Sequence, residues 1–249
     1  MFRSNILTAA TLGLGFVMAV APANAQTTIL DFDTGNGLQP PGSGQTIGGS
    51  TQPFTDFGVT IETDNPNNNP LLLFNSNCGP DFPSTSCTGG DPDLATGQPS
   101  FGTDPQGNVL IIQENDDLTD PDDDADGGTF QFSFIDPVEF LNATILDLDE
   151  NVAPIFEFSF ESGSSQTVSA SSVDLLGSES GDNSLRQYNF SGLTGVTGLN
   201  LTLDDVSGAV ASLTYERPET PSIPEPMSAL AIFTVGAVAA GAASKKKSA

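Results

Sequence analysis

Large apolar residues recur at every second position in several stretches of this chain, and between its two ends no stretch carries the three-to-four spacing of a helix. Phe130, Phe132 and Phe134 fall on one side of an extended segment, Phe156, Phe158 and Phe160 on one side of a second, and Leu199, Leu201 and Leu203 on one side of a third. Successive side chains of a strand point to opposite faces, so each row marks a sheet face turned to a core. A row of Phe can also serve as a ligand platform, but side chains of this kind are most often buried. The same pattern, punctuated by Gly, Pro, Asn and Asp, predicts strands over 28–32, 59–63, 71–74, 108–113, 129–134, 140–148, 155–160, 166–170, 184–190, 196–203 and 209–215. Many short strands and no helix predict an all-β, jelly-roll-like β-sandwich, with an up-and-down barrel as the alternative. The long segments 33–57 and 75–107 are the expected place for a site.

The ends follow other rules. Arg3, an apolar run over 6–20 and the small residues Ala23, Asn24 and Ala25 compose a secretory signal peptide, with cleavage between Ala25 and Gln26. That run is shorter than the roughly 20 residues of a spanning helix, which sets it apart from a membrane anchor. Residues 26–217 then form one domain long enough to bury a core. Of the chain's 32 acids only Glu219 and Glu225 lie beyond it, so 30 fall in the domain against two cations, Arg186 and Arg217, a formal charge of −28. So negative a field repels nucleic acid and anionic headgroups and concentrates cations. The periodic Phe, Leu, Ile and Val argue for a packed domain rather than a disordered one.

Cys78 and Cys87 are the only cysteines, and export to an oxidising compartment predicts that they form one disulfide. Two cysteines without any histidine make a poor zinc site. The absence of His, and of Lys from the domain, removes the usual general bases and every Ser–His or Cys–His arrangement. A carboxylate pair could still serve a glycosidase, but acids are so abundant that their presence carries little information. The chain is therefore expected not to be an enzyme.

Glu114, Asp116, Asp117, Asp120, Asp122, Asp123, Asp124 and Asp126 put eight acids into 13 residues. Such density is costly unless something neutralises it. Asp122, Asp124 and Asp126, followed by Gly127, match the alternating start of a calcium loop, where oxygens converge on one hard cation and Gly permits a sharp turn. The twelfth position is Ser133 rather than Glu and a strand follows, so the pattern points to a calcium loop on a β-sandwich and not to an EF-hand. Asp31 with Asp33, Asp91 with Asp93, and Asp147 with Asp149 repeat the one-residue spacing that sets two carboxylates on one side of a strand. Calcium is the expected cofactor, with Asp91, Asp93, Asp122, Asp124, Asp126, Asp147 and Asp149 as candidate ligands. A solvated acidic loop and plain Asp turns are the alternatives.

After residue 217 a Pro-rich spacer over 218–223 leads to Pro224, Glu225 and Pro226, then to an apolar run over 227–243 at the lower edge of what spans a bilayer, then to Lys245, Lys246 and Lys247. Lysines at that end stay on the cytoplasmic side of a transmembrane helix. Pro-Glu-Pro, a small-residue-rich apolar helix and a terminal basic cluster together resemble the PEP-CTERM sorting signal of Gram-negative bacteria, here with Lys in place of the frequent Arg. The resemblance implies recognition of Pro224, Glu225 and Pro226 by exosortase, a membrane-embedded protease or transpeptidase, in a carrier that accompanies exopolysaccharide production at the cell surface or in a biofilm matrix. The segments around Gly90 to Leu94, Gly107 to Glu114, Gly127 to Phe130 and Leu146 to Asp149 resemble an extracellular β-sandwich module of bacterial surface proteins, for which no defined activity is implied. The expected function is a non-catalytic, calcium-stabilised surface or matrix protein. A carbohydrate-binding module for exopolysaccharide and a glycan-active enzyme are the alternatives.

Overall fold

The computed structural model describes residues 25–38, 45–78, 92–100, 102–115, 117–118, 120–148, 152–177 and 182–218. Both terminal segments, together with Cys87, Asp91 and Asp149, lie outside them. Within the described residues the regular structure is β, apart from one 3-10 turn at Thr55–Phe57. The strands are β1 (Gln26–Leu30), β2 (Thr46–Ile47), β3 (Val59–Asp64), β4 (Leu71–Asn75), β5 (Asn108–Ile112), β6 (Gly127–Leu146), β7 (Ile155–Phe160), β8 (Ser165–Thr167), β9 (Ser172–Leu175), β10 (Leu185–Asp204) and β11 (Ala209–Arg217). All of them fall in one compact unit, Ala25–Glu219.

Two strands of 20 residues each, β6 and β10, pair antiparallel from Gly127↔Asp204 to Leu146↔Leu185 and serve two layers in turn. Toward one end the ribbon is flanked by β3 on β6 and by β7 on β10, with β8 beyond β7. Toward the other it is flanked by β11 on β6 and by β9 on β10. β11 carries β1 and β5 on its far edge, and β4 and β2 extend the sheet from β5.

The changeover is written in the sequence. Ile135-Asp136-Pro137 interrupts the apolar alternation of β6. Opposite it, Gly192 and Gly195 adopt φ of 73° and the register slips three times between Asn189 and Gly198. Bulges of this kind bend a strand and let it pass from one layer to the next. The expectation of separate strands at 129–134 and 140–148, and at 184–190 and 196–203, is thereby corrected. Pro and Gly mark corners here rather than reversals, because the two strands stay opposite each other through the bend. β2 and β9 were not foreseen: one has two residues and the other is exposed throughout, so neither carries a core row.

The rows fill the space between the layers. Phe130, Phe132, Phe134, Phe156, Phe158, Leu199, Leu201 and Leu203 are all buried. Rings of β6 and β7 on one side meet rings of the opposite layer: Phe140 and Phe158 at 5.1 Å, Phe134 and Tyr215 at 5.0 Å, Phe156 and Phe190 at 4.9 Å between centroids. Edge-to-face and tilted contacts of this kind contribute about 0.5–1.5 kcal/mol each beyond burial. The fold is all-β, antiparallel and sandwich-like.

β4 and β5 are buried at every position. Leu71, Leu73, Leu110 and Ile112 join the principal core, whereas Leu72, Phe74, Val109 and Ile111 pack with Leu94, Leu146, Leu185, Ala209 and Ala211 in a second one. The described part of the long segment before β5 supplies the cover: Leu94 is completely buried, Ser76 Oγ and Thr96 Oγ1 share a 2.8 Å hydrogen bond, and Gln98 Nε2 donates to the Cys78 carbonyl at 2.6 Å. Cys78 is itself fully buried and is not a free thiol.

Tyr215 pins the 3-10 turn to the sheet by donating its hydroxyl to the Phe57 carbonyl at 2.8 Å. Burial pushes its pKa from 10.0 up to about 12, opposed by the Arg217 charge. The unfolded chain therefore loses this proton before the folded one does, so Tyr215 contributes stability that is complete below pH 10 and falls away as pH rises toward 12, at no more than about 1.4 kcal/mol per pH unit. Urea unfolding across that range is expected to show this loss in the wild type. Tyr215→Phe is expected to lose about 1 kcal/mol at neutral pH and to flatten the alkaline decline.

Candidate cation site at the acidic loops

The described acids of the 114–126 segment, all but Asp116, lie where β5 leaves the sheet and β6 enters it. Gln113 and Asp123 form an isolated antiparallel bridge, so the segment between them is a closed loop, and Asp124 turns the chain into β6. The Asp124 carboxylate organises that turn: its Oδ1 accepts the Asp126 N–H at 3.0 Å, and the Asp124 carbonyl accepts the Gly127 N–H at 2.9 Å. Gly127 has φ of 69°, and a Cβ there would run into the carbonyls of Leu203 and Val206, so the position requires glycine.

A second loop completes the arrangement. Between β3 and β4, Asn65 Oδ1 accepts the N–H groups of Asn67 (3.2 Å) and Asn69 (2.9 Å), while its Nδ2 donates to the Asn69 carbonyl at 2.8 Å. The loop held this way presents two amides to Asp124, whose Oδ2 accepts Asn69 Nδ2 at 2.8 Å and Asn67 Nδ2 at 3.3 Å. Asn67 Nδ2 also reaches Asp126 Oδ2 at 3.3 Å. Asp124 is only 4 % exposed, so these neutral donors replace the water its charge has lost. Sequence reasoning passed over these asparagines, although the run Asn65-Pro66-Asn67-Asn68-Asn69-Pro70 was a visible signal of a side-chain-stabilised turn.

The other candidate ligands divide. Asp126 is exposed and lines a hollow of about 540 Å3 shared with Asp64, Asp204 and Asp205. Asp122 is exposed and lines a second hollow, of about 410 Å3, with Asp93, Glu114 and Asp120. Asp93 is held above the usual carboxylate range first by desolvation, then by the charges of Asp182 and Asp122. Two residues far apart in sequence, Asp93 and Asp122, are thus brought to one hollow, while Asp124 and Asp126 belong to the neighbouring turn.

Asp147 stands apart. It follows the last residue of β6 in a left-handed conformation (φ 62°), so the same-side argument for a strand pair does not hold for it. Its Oδ1 accepts the Asn183 N–H at 3.1 Å, and Asn183 Nδ2 in turn lies within 2.6–3.1 Å of the carbonyls of Pro92, Asp93 and Ala95. Asp147 thereby anchors the segment that carries Asp93. Asp33 likewise serves the chain, accepting the Asn108 N–H at 2.8 Å, and burial raises its pKa. Asp91 and Asp149 lie outside the described residues, as do Cys87 and Pro224, Glu225 and Pro226.

Among the described residues no three His, Cys, Asp or Glu side chains group closely enough to hold a metal ion by themselves. The oxygens that the described residues offer at these loops are amide and carbonyl as well as carboxylate. Both of the domain's cations are found on backbone carbonyls elsewhere: Arg186 donates to Leu148 at 2.7 Å and Arg217 to Asp56 at 3.1 Å.

The chain matches no family model, no curated protein and no solved structure.

Because Asp124 satisfies three donors from a buried position, Asp124→Ala is expected to cost about 2–4 kcal/mol in chemical unfolding. Asp126→Ala, at an exposed carboxylate with one long hydrogen bond, is expected to stay within about 0.5 kcal/mol of wild type. Equal costs at the two positions would mean that the asparagine clamp does not organise the turn.

Proposed function

We propose that this chain is an exported, non-catalytic protein of the bacterial cell surface or extracellular matrix, with a jelly-roll-like, calcium-stabilised β-sandwich carried outside the cell and sorted by exosortase through a C-terminal transmembrane tail. The observation that carries the proposal is the pairing of a signal peptide ending at Ala25 with Pro224, Glu225 and Pro226, the apolar run 227–243 and Lys245, Lys246 and Lys247.

The domain between these ends suits such handling. β1 begins at Gln26 and pairs there with Arg217, the last residue of β11, so cleavage before Gln26 leaves the sheet whole. The first and last residues of the sheet thus sit side by side, with the spacer and tail following directly. A disulfide between Cys78 and Cys87 belongs to the same reading, since an exported chain meets oxidising conditions. Calcium is the ion that an acidic domain with mixed oxygen donors selects in such a compartment.

Mass spectrometry of the mature protein from intact cells tests the sorting directly. The expected product begins at Gln26 and ends at or near Pro224, Glu225 and Pro226. A chain still ending at Ala249 would reject processing by exosortase and leave only a membrane anchor.

A second reading, binding of exopolysaccharide, is favoured by one feature. A hollow of about 400 Å3 opens beside β7 and β9, with Pro154, Ile155, Phe156, Val173 and Tyr188 on its walls and Thr167 and Ser169 among its polar groups. Concave, mainly apolar sites with a few polar groups are where small ligands bind. If this is a glycan site, Ile155→Asp and Val173→Asp, at rim positions 45 % and 52 % exposed, abolish retention on the cell's own exopolysaccharide while Asp122→Ala leaves it intact. Retention unaffected by either rim substitution would remove this reading.

A further inference from the structure

The loop 114–122 closes on a neck two residues wide. Gln113 and Asp123 oppose one another across the bridge, flanked by the Glu114 N–H donating to the Asp122 carbonyl at 2.9 Å and the Asp124 N–H to the Ile112 carbonyl at 2.8 Å. Residues opposed in this way carry their side chains on the same face, with Cβ atoms about 5 Å apart. Gln113 has no exposed surface and Asp123 only 7 %. The amide of Gln113 is aimed into the loop, since Nε2 donates to the Asp117 carbonyl at 3.1 Å, and its Oε1 is buried without a hydrogen-bond donor.

Turning the amide over does not repair this. Oε1 would then face the Asp117 carbonyl, exchanging one uncompensated acceptor for two that oppose each other. The neck therefore sets an amide oxygen that has no donor beside a buried carboxylate and a loop carbonyl, under the negative potential of Glu114, Asp120 and Asp122. Arg186 and Arg217, the only cations of the domain, are placed on the Leu148 and Asp56 carbonyls. A hard cation from solution gives Gln113 Oε1 the partner it lacks, and calcium accepts amide, backbone and carboxylate oxygens together at about 2.3–2.6 Å.

We propose that Gln113 Oε1 and the Asp123 carboxylate are the inner ligands of a calcium ion seated at the neck of the 114–122 loop. This rests on the calcium reading above and relocates the ion. Asp124 already accepts three hydrogen bonds from its own surroundings, whereas Gln113 Oε1 accepts none.

The test uses the full-length protein in mild detergent, with calcium chloride or a chelator, read by thermal unfolding and by calorimetric titration of calcium alone. Wild type is expected to melt about 5 °C higher when calcium reaches roughly a hundred times its Kd. Gln113→Glu adds charge to the ligand set, so it is expected to melt lower than wild type in chelator and to bind calcium roughly tenfold tighter. Gln113→Met removes the orphan oxygen, and is expected to lose most of the calcium-dependent shift without melting lower in chelator. These opposite responses separate ligation from a merely structural role, in which Gln113→Glu destabilises equally with and without calcium; that result overturns the proposal. A Gln113→Met protein that keeps the full wild-type shift also overturns the neck site while leaving calcium stabilisation standing. No shift in the wild type removes both.

Discussion

Everything in this domain depends on the continuous antiparallel pairing of β6 with β10. The other strands attach to one or the other of these, directly or through β11 and β7, and the ribbon changes layers without breaking its pairing. A sandwich built this way has no independent halves. The aromatic contacts between layers, Phe140 with Phe158 and Phe134 with Tyr215, are made by residues that the ribbon or its immediate neighbours carry, so the bend at Pro137, Gly192 and Gly195 decides whether those rings can meet. Non-local pairing of this extent also predicts slow folding, because most contacts reward the chain only after long loops have closed.

The second constraint is charge. Thirty carboxylates share the domain with two guanidinium groups, so ion pairing within it cannot balance them. Different positions solve this differently. Asp33, Asp124 and Asp147 use backbone and asparagine N–H groups, which stabilise a carboxylate without cancelling its charge. Asp122, Asp126, Asp204 and Asp205 remain at the edges of open hollows, where water and mobile counter-ions screen them. Residues that look equivalent in the sequence thus fall into structural and solvent-facing groups according to burial.

The strand content and the buried faces of the described residues were legible in the sequence because period-two apolar rows report directly which side of a strand is buried. Phe130, Phe132 and Phe134 are the clearest case. The merging of four expected strands into two was not legible, since Pro137 and Gly192 look the same in a turn as in a bend; only the partner strand tells them apart. The acidic loop was legible as a concentration of charge but not as an arrangement. Alternating aspartates drew attention to Asp122, Asp124 and Asp126, whereas the asparagine clamp comes from a loop some 55 residues earlier. Asp147 was misread as a strand residue because its left-handed turn has no sequence mark beyond Asp itself, one of the few residues that tolerate it. Gln113 gave no signal at all: a glutamine ending an apolar strand looks like a surface residue until the chain beyond Asp122 returns over it.

The bridge between Gln113 and Asp123 isolates the loop it closes from the register of the sheet. Because β5 and β6 are positioned by their own ladders, residues can be gained or lost between Glu114 and Asp122 without shifting a single apolar row. This leaves the loop free to diversify in length without disturbing the ladders of β5 and β6. Related chains that share the scaffold are then expected to differ most in length there, while a pair of oxygen-bearing side chains at its base persists.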